Sequence, residues 1–264
     1  MPARLTRRHG FVLNGVLNLE LTAPKLEYTV NKADEGAIPV IIVAAGSSSR
    51  MGGINKLTVP VSGVPVLART LAAFENCPMI SGIILAVRSQ DILNSQLMAE
   101  QYGISKLTDV ICGGNTRAET VARGIARLGK NDEYVLIHDG ARPLVTDEII
   151  TETAAALKSF SAVACAVPVK DTVKCVDKNG VVIKTLDRSG LFAVQTPQGV
   201  NVRDYKAAAE KAGEGLKEFT DDASVMEAAG YTVHITRGSY ANIKITTRED
   251  IALAEYLLNG ENKE

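Results

Sequence analysis

Two cations close a run of small residues early in this chain, and that is the first place where chemistry could be done. Pro39–Lys56 reads PVIIVAAGSSSRMGGINK: β-branched apolar residues, then Ala44-Ala45-Gly46, then a Gly/Ser loop carrying Arg50 and Lys56. Side chains this small let backbone N–H groups approach phosphate oxygens closely, and the two cations suit a polyanion. The loop lacks the GxGxxG of a dinucleotide site, and Leu57 stands where a Walker A loop has Ser or Thr. A second segment, Val135–Pro143, reads VLIHDGARP. Its apolar run ends at His138, which reads as structural. Asp139, Gly140, Ala141 and Arg142 then fall at the carboxyl edge of a sheet, where open α/β folds bind ligands. A single carboxylate there suits Mg2+, which takes few protein ligands and completes its shell with phosphates and water.

Weaker signals point the same way. Gly113-Gly114-Asn115-Thr116-Arg117 places glycines and a cation before a helix, a natural anion site. Asp171-Thr172 opens a β-rich stretch that Arg188 closes, and Gln195-Thr196-Pro197-Gln198 follows. Asp221 and Asp222 start a short helix and read most simply as caps. Asn242–Thr246 reads as a strand carrying Lys244, with a capping box over Thr247–Asp250.

These residues need elements to hold them. Val40–Ala44, Ile80–Val87, Asp109–Cys112, Tyr134–His138 and Ala162–Val167 are short and rich in Val and Ile, without clean polar alternation, as strands covered on both faces should be. Helical stretches lie between them at Val64–Glu75, Leu93–Tyr102, Arg117–Leu128 and Asp147–Ser159, the last capped by Thr146 with Asp147 and Glu148 in its first turn. This alternation predicts an α/β fold with a doubly wound, mostly parallel, Rossmann-like sheet. Asp171–Asp187 breaks the rhythm, and Asn179-Gly180 between β-rich flanks predicts an inserted hairpin arm. Projecting strand edges invite cover by a partner chain.

Composition narrows the classes. A net charge of -1 over 264 residues gives no general grip on nucleic acid. No apolar run approaches the roughly eighteen residues that would span a bilayer. The four cysteines and three histidines show no metal or redox spacing, so the thiols read as reduced in a reducing compartment, and the cytoplasm is the default setting. Residues 1–36 stand apart from the rest, with Arg4, Arg7 and Arg8 and no acid before Glu20. A loose extension, a start-codon artefact and a plastid transit peptide all fit that pattern. The domain proper is expected over 37–264, with its arm at about 171–187.

Taken in order, AAGSSSRMG…NK, HDGARP, PVKDTVK, LDRSGLFAVQTPQ, TDDASVMEAAG and NIKITT resemble the 2-C-methyl-D-erythritol 4-phosphate cytidylyltransferase family, over roughly Pro39 to Leu258. The first motif marks the wider sugar-nucleotidyltransferase group. The rest narrow it to this family and its relative, ribitol 5-phosphate cytidylyltransferase, which stays open as the alternative acceptor class. The Arg188-containing LDRSGLF segment points toward methylerythritol phosphate.

The resemblance implies transfer of a cytidylyl group from CTP to a small phosphorylated polyol, with Mg2+ as cofactor. It implies a catalytic role for Arg50, Lys56, Arg188 and Lys244, and nucleotide contacts from Ala44, Ala45, Gly46, Gly114, Thr120, Asp139, Gly140 and Ala141. Acceptor contacts would come from Arg142, Thr172, Thr196 and Thr246, with Asp139 on the metal. A homodimer built through the arm is implied as well. Ala241 stands where many relatives carry a charged residue, which argues against a second metal contact there. A catalytically idle nucleotide-binding assembly protein on this fold would be expected to lack Arg50, Lys56 or Asp139, and all three are present.

Overall fold

The computed structural model describes residues 36–46 and 55–261. The chain enters on strand β1 (Ile38–Ala44), pairs the short β2 (Pro60–Val61) with β3 (Val64–Pro65), and continues through α1 (Val66–Asn76), β4 (Ile80–Val87) and α2 (Ile92–Gln101). Then come β5 (Leu107–Cys112), α3 (Arg117–Ile125), β6 (Tyr134–Asp139), α4 (Asp147–Ala156) and β7 (Ala162–Pro168). The last part holds β8 (Lys174–Val176), β9 (Val182–Thr185), β10 (Phe192–Asn201), α5 (Val202–Ala212), α6 (Asp222–Ala229), β11 (Val233–Arg237) and α7 (Arg248–Glu261).

Seven strands form one sheet in the order β11-β7-β10-β6-β1-β4-β5. All run parallel except β10, which is antiparallel to both β6 and β7. Successive residues of β1 feed opposite faces, as strand geometry requires. Val40 and Ile42 pack with Leu67, Leu71 and Phe74 of α1 and Ile149 and Ile150 of α4. Ile41 packs instead with Val121 and Ile125 of α3, Tyr205 of α5 and Met226 of α6. Two covered faces explain why the strands lack polar alternation. No helix among the described residues is long and apolar enough to cross a membrane.

Several expectations need correction. Asn242–Thr246 is not a strand. Asn242 is fully buried, its side chain donating to the Thr196 carbonyl (2.9 Å), and Ile245 N–H donates to the Ala141 carbonyl (2.8 Å). The segment is thus stapled across strand ends by single bonds rather than by a ladder. The first helix begins two residues later than its periodicity suggests, because Val64 and Pro65 pair with Val61 and Pro60. The helices beginning at Arg117 and Asp147 end at Ile125 and Ala156, about a turn early.

The hairpin stands where Asn-Gly placed it, over β8 and β9. Asp177 Oδ1 accepts from Asn179 and Val181 N–H, and Gly180 takes the positive φ of 81° that closes such a turn. Its apolar side chains Val176, Val181, Val182 and Ile183 are all exposed.

Candidate functional site

Register sets the site. Val43 of β1 lies beside Asp139 of β6, so Ala44-Ala45-Gly46 emerges directly past that carboxylate. Gly140 N–H donates to the Val43 carbonyl (2.9 Å), and a Cβ at Gly140 would meet Ala44 Cβ at 3.1 Å and that carbonyl at 3.3 Å. A side chain here would fit only if these neighbours gave by a few tenths of an ångström. Adjacent parallel strands with the next connections leaving on opposite sides form the crevice in which this class of sheet binds ligands.

One cleft collects Ala44, Ala45, Gly46, Lys56, Gly114, Thr120, Asp139, Ala141 and Lys244, nine of the residues singled out from sequence. Gly140 lies just behind, holding Asp139 against β1. Arg50 lies outside the described residues. Arg142 stands at the back, its guanidinium bridging Asp139 Oδ2 (3.7 Å) and the Asn242 carbonyl (2.7 Å). Thr172 and Arg188 lie on the exposed arm and are not among the residues lining this chain's own cleft.

Two predicted contacts are already engaged elsewhere. Thr196 Oγ1 accepts from Asp139 N–H (3.1 Å) and meets His138 Nδ1 at 3.0 Å. Thr246 gives both its N–H and its hydroxyl to Asp250 Oδ2, at 2.7 and 2.8 Å, and Thr247 N–H joins them, so Asp250 caps the start of α7. Nor is the start of α3 an open anion site. Gly114 N–H donates to Thr120 Oγ1 (3.0 Å), and Asn115 N–H donates to Glu119 Oε2 (2.8 Å), so the helix carries its own carboxylate there. Thr120 lines the cleft while its hydroxyl donates to the Thr116 carbonyl at 2.8 Å.

Asp139 is the electrostatic centre. Lys244 Nζ lies 2.7 Å from its Oδ2, Arg117 Nε 3.4 Å from its Oδ1, and Arg142 completes the set. Burial alone would raise this carboxyl. Arg117, then Lys244 and Arg142, overcome that and hold it well below the usual carboxylate range. Arg117 carries the further ion pair to Asp222 (2.8 Å) and is held above its ordinary value by the two acids, against burial. Neither Arg117 nor Asp222 was assigned to the site from sequence. Arg117 was visible as a cation ahead of a helix. Asp222 shares its neighbourhood with a true cap, Asp221, whose Oδ1 accepts from Ser224 N–H (3.0 Å). Local patterning cannot separate two adjacent acids when only one faces inward.

His138 is fully buried, and burial drives its ring down to about 3. Thr196 Oγ1 accepts from Asp139 N–H, so its own proton goes to Nδ1, leaving Nε2–H to donate to the Arg142 carbonyl (3.3 Å). The neutral ring therefore holds both ends of the Asp139–Arg142 loop, a structural part as expected. Because the folded value lies below the ordinary one, the unfolded chain binds the extra proton as pH falls. Stability is then full above about pH 6.5 and falls by about 1.4 kcal/mol per pH unit below it, toward pH 3. Urea unfolding at about pH 7 and pH 5 should differ by about 2 kcal/mol from this group. A His138→Gln variant with an unchanged difference would show that the ring is not its source.

Residues 38–260 match the family described as IspD: 2-C-methyl-D-erythritol 4-phosphate cytidylyltransferase. The chain is 42% identical over 225 residues to the Bacillus cereus protein of that name, spanning 85% of this chain and 99% of the relative. Among solved structures, 4-diphosphocytidyl-2C-methyl-D-erythritol synthase from Anaerococcus prevotii is similar at a TM-score of 0.75 and 34% identity, covering 85% of this chain and 96% of that one. The 2-C-methyl-D-erythritol 4-phosphate cytidylyltransferase of Francisella tularensis is similar at 0.71 and 30% identity, covering 84% and 99%. A match running from β1 into α7, through every segment that builds the cleft, is a match of the whole domain, and the chain belongs to the 2-C-methyl-D-erythritol 4-phosphate cytidylyltransferase family.

Proposed function

We propose that this chain joins CTP and 2-C-methyl-D-erythritol 4-phosphate, forming 4-diphosphocytidyl-2-C-methyl-D-erythritol and pyrophosphate in non-mevalonate isoprenoid synthesis, with residues 37–264 as the catalytic domain. The observation that carries this reading is the gathering of Lys56, Asp139 and Lys244 in one cleft with Ala44-Ala45-Gly46. An acceptor phosphate oxygen attacks the α-phosphorus, and the bond to the bridging oxygen breaks with its electron pair leaving on pyrophosphate. The second pKa of a phosphate monoester is about 6, so the nucleophile is already dianionic at neutral pH and no base is needed. What the site must overcome is repulsion between two polyanions, and positioned cations do that.

In this reading Lys56 and Arg50 hold the triphosphate and Lys244 meets the incoming phosphate. Ala44, Ala45, Gly46, Gly114, Thr120, Gly140 and Ala141 shape the nucleotide pocket. Thr196 and Thr246 act from behind, since their hydroxyls serve Asp139 and Asp250. Among the described residues no group of three His, Cys, Asp or Glu could hold a metal by itself. A lone Asp139 among cations fits an ion that arrives on the triphosphate, and we assign Mg2+ to that carboxylate. When bound, it would spread the phosphate charge and polarise phosphoryl oxygens. Thr172, Arg188 and Arg142 are assigned to the acceptor, with Thr172 and Arg188 supplied across a homodimer. The exposed apolar arm, and the position of those two residues outside their own cleft, support that arrangement. A cytoplasmic setting belongs to the same reading, with a plastid as the alternative if residues 1–36 are a transit peptide.

Pyrophosphate release from CTP tests it. Release is expected with 2-C-methyl-D-erythritol 4-phosphate and not with ribitol 5-phosphate or without acceptor. Release with ribitol 5-phosphate alone would move the chain to the alternative acceptor. CTP binding without turnover on either would make it a non-catalytic binding protein.

A further inference from the structure

Asp222 lies outside the cleft, in the first turn of α6, and is 1% exposed. It is held from three sides. Its N–H donates to Gln198 Oε1 (3.0 Å), Tyr205 Oη donates to its Oδ1 (3.2 Å), and Arg117 Nη1 stands 2.8 Å from its Oδ2. The same guanidinium reaches Asp139 only through Nε, at 3.4 Å. Arg117 is thus shared unequally: its close ion pair is to the buried acid, while its long hydrogen bond through Nε goes to the one in the cleft. Its Nη2 and Asp222 Oδ2 are both buried without a hydrogen-bond partner, so the 2.8 Å contact between the two side chains holds by charge rather than by hydrogen-bond geometry.

The inequality has a chemical consequence. A guanidinium presents a planar fork that can take both oxygens of a carboxylate at once. Were Arg117 to close on Asp139 in that way, it would take the two syn lone pairs and leave a divalent cation only the less basic anti pair. With one arm of the fork anchored to Asp222, the tight partner left on Asp139 is Lys244, at 2.7 Å. That ammonium is 38% exposed on a flexible stem, and it can turn to an arriving phosphate. The charges alternate along Asp222, Arg117, Asp139 and Lys244, and only the outermost cation is placed to leave.

We propose that Asp222 is a positioning residue that draws Arg117 back from Asp139 and so keeps a carboxylate edge open for the cation that comes with the triphosphate. This rests on the nucleotidyltransferase reading above and extends it to a residue that touches neither substrate nor metal.

The test uses the full chain with CTP and Mn2+, following bound Mn2+ by electron paramagnetic resonance without acceptor, and CTP binding separately in EDTA. Asp222→Asn is expected to weaken Mn2+–CTP binding roughly tenfold or more, in the range seen when groups behind metal ligands are removed. CTP binding in EDTA should change little. The double variant Arg117→Met/Asp222→Asn removes the guanidinium as well, and should recover most of the Mn2+–CTP affinity. A residue that merely holds the fold together predicts no such recovery. Should Asp222→Asn fail to fold, Asp222→Ser carries the same expectation. Wild-type Mn2+–CTP affinity in the single variant, or a double variant no better than the single, would overturn the proposal. A wild-type chain whose CTP binding ignores Mn2+ would overturn the metal assignment beneath it. Pyrophosphate release by the wild type together with unchanged binding in Asp222→Asn would sink only the role of Asp222.

Discussion

Asp139→Asn is expected to lower kcat/KM about a thousandfold, on the order of 4 kcal/mol of transition-state stabilisation. The carboxylate does two things that an amide cannot. It is the acid at the centre of the cleft, and it balances Lys244, Arg117 and Arg142 at once. An amide would leave three cations facing one another around a neutral, buried group. Stability should therefore fall as well, by about 3 kcal/mol, the usual cost of breaking a buried charge pair from one side. The two effects separate experimentally. Steady-state rates at rising Mn2+ or Mg2+ should not return to wild type even at a temperature where the variant is fully folded. Recovery of the rate at high metal would reduce Asp139 to a charge that only tunes affinity. An unchanged rate at ordinary metal would remove it from the site.

The elements carrying this site were legible because their signals are local. The apolar run before Ala44 and the run before Asp139 each announce a buried strand, and parallel pairing then brings their ends together. The hairpin was legible from Asn179-Gly180 alone. What sequence could not supply was partnership across long separations. Phe192–Asn201 makes the one antiparallel strand of the seven-stranded sheet, but only its Gln195–Gln198 core drew attention, as a polar motif. Those polar residues are buried because Gln198 serves the start of α6 and Gln195 meets Ser239 and Asn242. Thr196 and Thr246 were assigned to the acceptor on the family resemblance alone. Each is engaged by a backbone or carboxylate partner that only the fold identifies. Asp222 was passed over for the converse reason: its partner Arg117 stands more than a hundred residues earlier in the chain.

The second large effect is expected at Lys56, whose replacement by Ala should reduce kcat/KM about a hundredfold, close to 3 kcal/mol. Its Nζ donates to the Ile245 carbonyl at 2.7 Å, which sets the ammonium beside the Lys244 backbone on the opposite wall of the cleft. Two cations from segments far apart in sequence thus converge in one cleft, where the proposed reaction would bring a triphosphate and an incoming phosphate together. In the proposed reaction, removing Lys56 weakens the side that would hold the triphosphate. Its effect should appear chiefly in kcat, because neutralising charge that builds at the reacting phosphorus matters more than binding CTP in the ground state. Lys56→Arg is expected to recover only part of the loss, since a planar fork does not reproduce a compact ammonium bonded to one carbonyl. Thermal unfolding should shift little. A Lys56→Ala chain with normal turnover, or one that loses CTP affinity and rate in equal measure while Lys56→Arg is fully active, would show that any nearby positive charge suffices and that the placement of this ammonium does not matter.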